Sequence, residues 1–212
     1  MNSFVRVWRN LKHRHKFVHV GKGCSFTGHT LEVEGHVELG HHVRIREGCV
    51  LRTRGKGKII FGDRGGCSWY CVLEANNLIQ IGNYVGIAEF TVLRDTNHAI
   101  FGTDEHWRQT PHITEPIIIE DSCLIGSRCY IGPGVHIGMG AVVAPGSIVT
   151  RSIGAYEVWA GAPARCVGHR TKNVSPSRQR LFQELLDKYG LKEADRYGFA
   201  EDHEAKKEVL GD

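Results

Sequence analysis

Between Leu93 and Ile119 the sequence gathers Arg94, Asp95, Asn97, His98, Asp104, His106, Trp107, Arg108 and His112 into one stretch. Imidazoles, carboxylates and an indole packed this closely can move protons and hold a polar ligand. Histidine suits one task in particular. An alcohol becomes a competent nucleophile when a base takes its proton. An imidazole with a pKa of about 6.5 is largely neutral near pH 7 and can be that base. The second ring nitrogen must then donate to an acceptor that fixes the tautomer, for which a backbone carbonyl or Asp95 can serve, with Asn97 beside it. The oxyanion formed on attack needs a preorganised donor, most simply a backbone N–H. His98 leads His106 and His112 as the base because it follows most directly on Leu93. No nucleophilic serine or cysteine motif accompanies it.

The elements that must position this stretch are legible on either side of it. Every sixth residue from Ile119 is apolar and branched: Ile119, Ile125, Ile131, Ile137, Val143 and Val149. The residues after them (Glu120, Gly126, Gly132, Gly138, Ala144, Thr150) are mostly small. A period of six matches neither an α-helix nor a simple alternating strand, and it marks a structural repeat. Three hexads form the three sides of one triangular coil, with the branched residue inward, so the expected fold is an all-β solenoid. The same inward set runs upstream through Val20, Phe26, Val33, Leu39, Ile45, Leu51, Phe61, Cys67, Leu73, Ile81, Ile87 and Leu93. Small insertions at Gly55–Lys58 and Asn76–Asn77 fall at corners, leaving material for roughly seven coils. The 26-residue step from Leu93 to Ile119 is the one long break. Long loops within strict repeats carry function.

The expected domains are a basic arm or short helix over residues 1–17, a solenoid over 18–168 with an inserted loop at 94–116, and a helical tail over 169–212. The arm sets Phe4, Val5, Val7, Trp8 and Leu11 among basic residues. It is expected to cover the open end of the solenoid, with at most peripheral membrane contact. In the tail, Ser175-Pro176-Ser177 starts a helix with the apolar stripe Leu181, Phe182, Leu185, Leu186 and Tyr189, ended by Gly190. A net charge of +4 favours anionic ligands without pointing to nucleic acid. The absence of a signal-like apolar segment leads to the expectation of a cytoplasmic protein. Of the seven cysteines, Cys24, Cys49, Cys71, Cys123 and Cys129 fall at the small buried position and Cys67 at the inward one. They are expected to be structural thiols; zinc at Cys67 and Cys71 is the competing reading.

Residues 20–170 resemble the hexapeptide-repeat acyltransferases, and among them the sugar and polysaccharide O-acetyltransferases of the galactoside and maltose type. The resemblance is carried by the hexads Ile119 to Val149, the inserted loop with His98, and Ala160-Gly161-Ala162-Pro163-Ala164-Arg165 after them. It implies a left-handed parallel β-helix and direct transfer of acetyl from acetyl-CoA to a hydroxyl of a sugar, sugar nucleotide or glycan. It further implies a homotrimer with active sites between subunits, no metal, and His98 as the catalytic histidine. Ser127, Pro145, Thr150, Arg151 and Arg165 match positions that contact the cofactor in that family. The two arginines have a warrant of their own, since guanidinium pairs well with phosphate. The glycines of the hexads are expected to offer a bed for the pantetheine arm. Trp69 and Tyr70 on an earlier coil, with Trp107 and Arg108, are candidates for holding the acceptor. The N-terminal helical unit of the simple galactoside and maltose enzymes is not recognisable in residues 1–17, which favours a glycan or sugar-nucleotide acceptor.

Two other readings compete. A γ-type zinc carbonic anhydrase on the same solenoid would need three histidines at a metal. Only the pair His36 and His41 is suggestive, and the long loop would have no purpose. A trimeric scaffold without activity would have no need of His98.

Overall fold

The structure, a computed structural model of the chain, describes residues 12–188. The arm residues Phe4 to Leu11, the expected helix end at Tyr189 and Gly190, and residues 191–212 lie outside them. The chain divides into two units, Met1–Arg170 and Thr171–Asp212.

The first unit is the expected left-handed parallel β-helix. Three parallel sheets form its faces, and the inward residues stack in register on each. Face 1 aligns Val20, Leu39, Phe61, Ile81, Ile119 and Ile137. Face 2 aligns Phe26, Ile45, Cys67, Ile87, Ile125, Val143 and Trp159. Face 3 aligns Val33, Leu51, Leu73, Leu93, Ile131 and Val149. Each set of three makes one coil, so every sixth-residue position becomes a column of core contacts. Most of these side chains are fully buried, each worth about 1.5–3 kcal/mol in transfer from water.

The second buried residue of each hexad explains the cysteines. Cys49, Cys71 and Cys129 occupy one column, and their thiols donate to the carbonyls of Ser68 (2.9 Å), Ala88 (3.1 Å) and Ala144 (3.2 Å). Thr91 in the same column donates to the Gly126 carbonyl at 2.8 Å. A small donor at this position thus satisfies a carbonyl that the corner of the next coil would leave buried and unpaired. Cys24, Cys49, Cys67, Cys71, Cys123 and Cys129 are free and buried, and Cys166 is exposed.

The corners carry a second ladder. Asp63 accepts from the His41 amide (2.7 Å), Asn83 from the Asp63 amide (2.8 Å) and Asp121 from the Asn83 amide (2.8 Å). The insertions after Thr53, Ala75 and Arg94 all fall at the edge between face 3 and face 1, where the chain leaves one coil for the next. The long loop is the largest of them: Ile117–Ile119 pairs directly with Leu78–Ile81 as though the intervening residues were absent.

At the start of the stack, Phe17 stacks on Phe26 with ring centroids 5.1 Å apart, and Arg14 donates to the Val20 carbonyl at 2.6 Å. Residues 13–17 therefore close the first coil. At the other end the repeat does not simply decay. Glu157–Gly161 and Ala164–His169 form an antiparallel hairpin that extends face 2, turning at Ala162-Pro163 with a cis peptide bond. The second unit contains a helix, Pro176–Lys188. Pro176 takes its first position, and the Ser175 hydroxyl accepts from the Arg178 amide at 3.4 Å as an N-cap. Among the described residues no helix is long and apolar enough to cross a membrane.

Candidate active site

The loop leaves the solenoid where Val92–Arg94 ends on face 3. Its first residue, Asp95, is completely buried. Asp95 was expected to orient His98, and the structure gives it other work. Its Oδ1 accepts from the Asn76 amide (2.8 Å), and Oδ2 accepts from the amides of Asn77 (2.7 Å) and Leu78 (2.9 Å). The carboxylate ties the corner of the preceding coil to the loop's root, and both its oxygens are engaged there.

From that anchor, Thr96–His98 and His112–Thr114 pair as an antiparallel ribbon. The hydroxyls of Thr96 and Thr114 meet at 2.9 Å, and the amides of Glu115 and Ala99 donate to the carbonyls of Asp95 (3.0 Å) and Pro111 (2.8 Å). The ribbon fixes the backbone of His98 against the wall. The imidazole of His98 lies with its centroid 4.4 Å from that of His112 and edge-on to Trp107 at 5.0 Å. His98 is partly buried, and its Nδ1 is enclosed without a hydrogen-bond partner among the described residues. An enclosed polar atom of this kind costs about 1–3 kcal/mol, and such groups collect at functional sites.

Trp107 is itself held. Its carbonyl accepts from the Thr110 hydroxyl at 2.8 Å, the Arg108 guanidinium carbon sits 5.1 Å from its ring centroid, and His106 stacks on it at 5.7 Å. Asn97 accepts from the Tyr130 hydroxyl at 3.4 Å. Tyr130, on the outer side of face 3 one coil further on, was not foreseen at the site. Its only sequence signal is an aromatic at an outward hexad position. His112, named in the sequence only as a rival base, stands directly beside His98 because the ribbon register pairs the two.

Four of the five residues matched to cofactor contacts lie on two edges. Ser127 and Pro145 share the edge between faces 2 and 3, where the Gly146 amide donates to the Ser127 carbonyl at 2.8 Å. Exposed Thr150 and Arg151 lie on the edge between faces 3 and 1, the edge that carries the His98 loop. Arg165 is exposed in the terminal hairpin, its guanidinium donating to the Ala164 carbonyl at 2.7 Å. Trp69 is half-exposed on the same edge as Ser127, two coils earlier.

Of the hexad glycines Gly126, Gly132 and Gly138, the first and last lie against the next coil's backbone. A Cβ on Gly126 would stand 2.5 Å from the Pro145 nitrogen, and one on Gly138 would stand 2.6 Å from the Ala155 nitrogen. At these two positions smallness is required by backbone contact between successive coils, whereas a Cβ on Gly132 would come no closer than 3.3 Å to the Tyr130 side chain. Both His36 and His41 are engaged, His36 with the Glu38 carboxylate and His41 Nδ1 with the Lys22 amide at 2.9 Å. Among the described residues no group of three or more His, Cys, Asp or Glu side chains is disposed to hold a metal ion.

Comparison with known proteins agrees with this architecture. Residues 116–151 match the family model described as the hexapeptide repeat of succinyl-transferase. AntD, an N-acyltransferase from Bacillus cereus solved with dTDP and 3-hydroxybutyryl-CoA, superposes with a TM-score of 0.68 at 22% identity, covering 85% of this chain and 95% of that one. A hexapeptide-repeat-containing acetyltransferase from Vibrio cholerae, solved with acetyl coenzyme A, gives a TM-score of 0.57 at 25% identity and covers 78% of each chain. No curated protein matches the chain. The chain carries the hexapeptide repeat over residues 116–151 and shares the left-handed β-helix fold of these solved acyltransferases, as the resemblance implied.

Proposed function

We propose that the protein is an acyl-CoA-dependent acyltransferase that moves an acetyl group from acetyl-CoA to a hydroxyl of a sugar, sugar nucleotide or glycan. The observation that carries the reading is His98. It stands in the one long insertion of the solenoid, its backbone locked by a ribbon and its ring set against Trp107 and His112. In the reaction a His98 nitrogen takes the acceptor proton as the oxygen attacks the thioester carbonyl. The carbon–sulfur bond then breaks, and the proton passes from the imidazolium to the departing thiolate. A backbone N–H of the solenoid wall is the donor for the oxyanion. An amine acceptor would follow the same steps, and the nucleotide and acyl-CoA bound by the Bacillus cereus N-acyltransferase make an amino sugar the natural comparison substrate.

Asn97, Trp69 and Trp107 are proposed to hold the acceptor, and Ser127, Pro145, Thr150, Arg151 and Arg165 the donor. Asp95 contributes by fixing the root of the loop. The division of the donor residues between two edges supports a homotrimer with shared sites. If the edge carrying His98, Thr150 and Arg151 faces the edge of a neighbour carrying Ser127 and Pro145, one cleft gathers them all. An acetyl-CoA-dependent enzyme of this kind would act in the cytoplasm, where its donor is made. Neither the carbonic anhydrase nor the scaffold reading is favoured by an observation in the structure.

The test is consumption of acetyl-CoA across a panel of sugars, amino sugars, nucleotide-linked sugars and oligosaccharides. Turnover with at least one of them, lost in His98→Ala, is the expected result. No turnover with any acceptor, together with no acyl-CoA binding by calorimetry, would sink the proposal.

A further inference from the structure

Along the edge between faces 2 and 3 runs a ladder of planar side chains that proton transfer at His98 leaves unused. The Arg46 guanidinium carbon sits 4.1 Å from the Trp69 ring centroid. Tyr70 and Phe90 stack with centroids 5.5 Å apart and planes within 4° of parallel. The Arg128 guanidinium carbon then lies 5.7 Å from the Phe90 centroid. Trp69, Tyr70 and Phe90 nevertheless remain 43%, 50% and 48% exposed, with Tyr70 and Phe90 each giving one face to the stack and Trp69 one to Arg46. The ladder climbs one rung per coil because Tyr70, Phe90 and Arg128 hold the same left-handed corner position, with φ of 56°, 60° and 56°.

Aromatic faces alternating with guanidinium groups suit one class of ligand well. A base stacked on an aromatic side chain gains about 1–3 kcal/mol. A guanidinium meets phosphate oxygens in a two-pronged hydrogen bond. A bare sugar ring would use an aromatic face and hydroxyl partners but would gain little from two arginines. Position agrees with chemistry. Ser127 and Pro145, the donor contacts of the proposed reaction, lie on this same edge in coils five and six. The aromatic rungs of the ladder occupy coils three and four, and the His98 loop leaves between coils four and five. The aromatic rungs and the donor contacts thus lie on opposite sides of the level of the base, with Arg128 beside Ser127 where the two meet.

We infer that the ladder binds the nucleoside diphosphate end of a nucleotide-linked sugar, placing the sugar toward the base. The inference rests on the acyl-transfer reading for the role of that sugar, but its binding step is measurable without any transfer.

The experiment titrates the full chain with dTDP and with UDP, following tryptophan fluorescence and heat, with inorganic pyrophosphate and thymidine as partial ligands. Saturable binding of a diphosphate, weakened roughly 5- to 100-fold in Trp69→Ala and in Phe90→Ala, is the expected result. Trp69→Phe and Phe90→Tyr, which keep the ring faces, retain binding and so separate lost contact from lost fold. Arg46→Ala and Arg128→Ala weaken binding and flatten its salt dependence. Absence of dTDP and UDP binding, or equal affinity in the natively folded alanine variants, would overturn the inference. So would a change in sedimenting mass of those variants with unchanged nucleotide affinity, since the rings would then serve subunit packing and not the nucleotide. Turnover of a free sugar without nucleotide binding sinks the ladder alone, whereas nucleotide binding with no turnover of any acceptor and no acyl-CoA binding sinks the acyl-transfer reading alone.

Discussion

His98 and His112 face one another across the ribbon at the root of the long loop, their ring centroids 4.4 Å apart and their planes tilted by 54°. The register of the ribbon, and nothing in the intervening sequence, sets that distance. The pair makes the assignment of the base a measurable comparison. His98→Ala is expected to lower kcat by about 10²–10⁴, the usual worth of a general base. His112→Ala, altering an exposed neighbour, is expected to cost less than a tenth of that. Steady-state kinetics with a competent acceptor decides, and the reverse order would transfer the role to His112.

Asp95 is predicted to matter for stability. Its carboxylate accepts from three main-chain amides at that corner. Asp95→Ala leaves buried donors unpaired and should cost about 3–5 kcal/mol, read as a lower midpoint in urea. A midpoint within 1 M of the wild type would contradict this prediction.

Gly138 tests whether the small hexad positions serve the stack. Alanine there puts a methyl group 2.6 Å from the Ala155 nitrogen, which is backbone and has little room to yield. Gly138→Ala is expected to destabilise by about 1–3 kcal/mol, with a correspondingly lower thermal midpoint. An unchanged midpoint would mean the coils have slack at that level.

The thiols divide by burial. One fast-reacting group, Cys166, is expected with a disulfide reagent at neutral pH, and all seven in denaturant. Burial pushes Cys123 up from its ordinary value of 9.0 to about 11, and it also raises Cys24 and Cys129. A folded-state pKa above the unfolded one favours the protonated thiol in the fold. The stabilisation is therefore complete below about pH 9 and is lost as pH rises toward 11. Denaturant midpoints measured from pH 8 to 11 should fall across that window, and Cys123→Ser, whose hydroxyl does not ionise there, should fall less steeply.

The legibility of the chain followed the range of its interactions. The inward columns from Phe26 to Val149 were readable because a period of six repeats the same environment, and every coil restates it. Cys67 at an inward position and the five cysteines at the small position were placed by that frame alone. The terminal hairpin of Glu157–Gly161 and Ala164–His169 was missed because an antiparallel pair used once has no period to announce it. Asp95 was misplaced for a related reason. Its proximity to His98 along the chain suggested a shared task, while its three partners stand 17 to 19 residues upstream.

The sequence by itself determined the solenoid, the number of its coils and the single long break that holds His98, because hydrophobic periodicity is a local property summed over many repeats. Only the tertiary structure decided that Asp95 serves the preceding coil, that His112 and Trp107 enclose His98, and that Arg46, Trp69, Tyr70, Phe90 and Arg128 form one edge. Those relationships join residues one full coil or one hairpin apart, and their distances exist only once the coils have stacked in register.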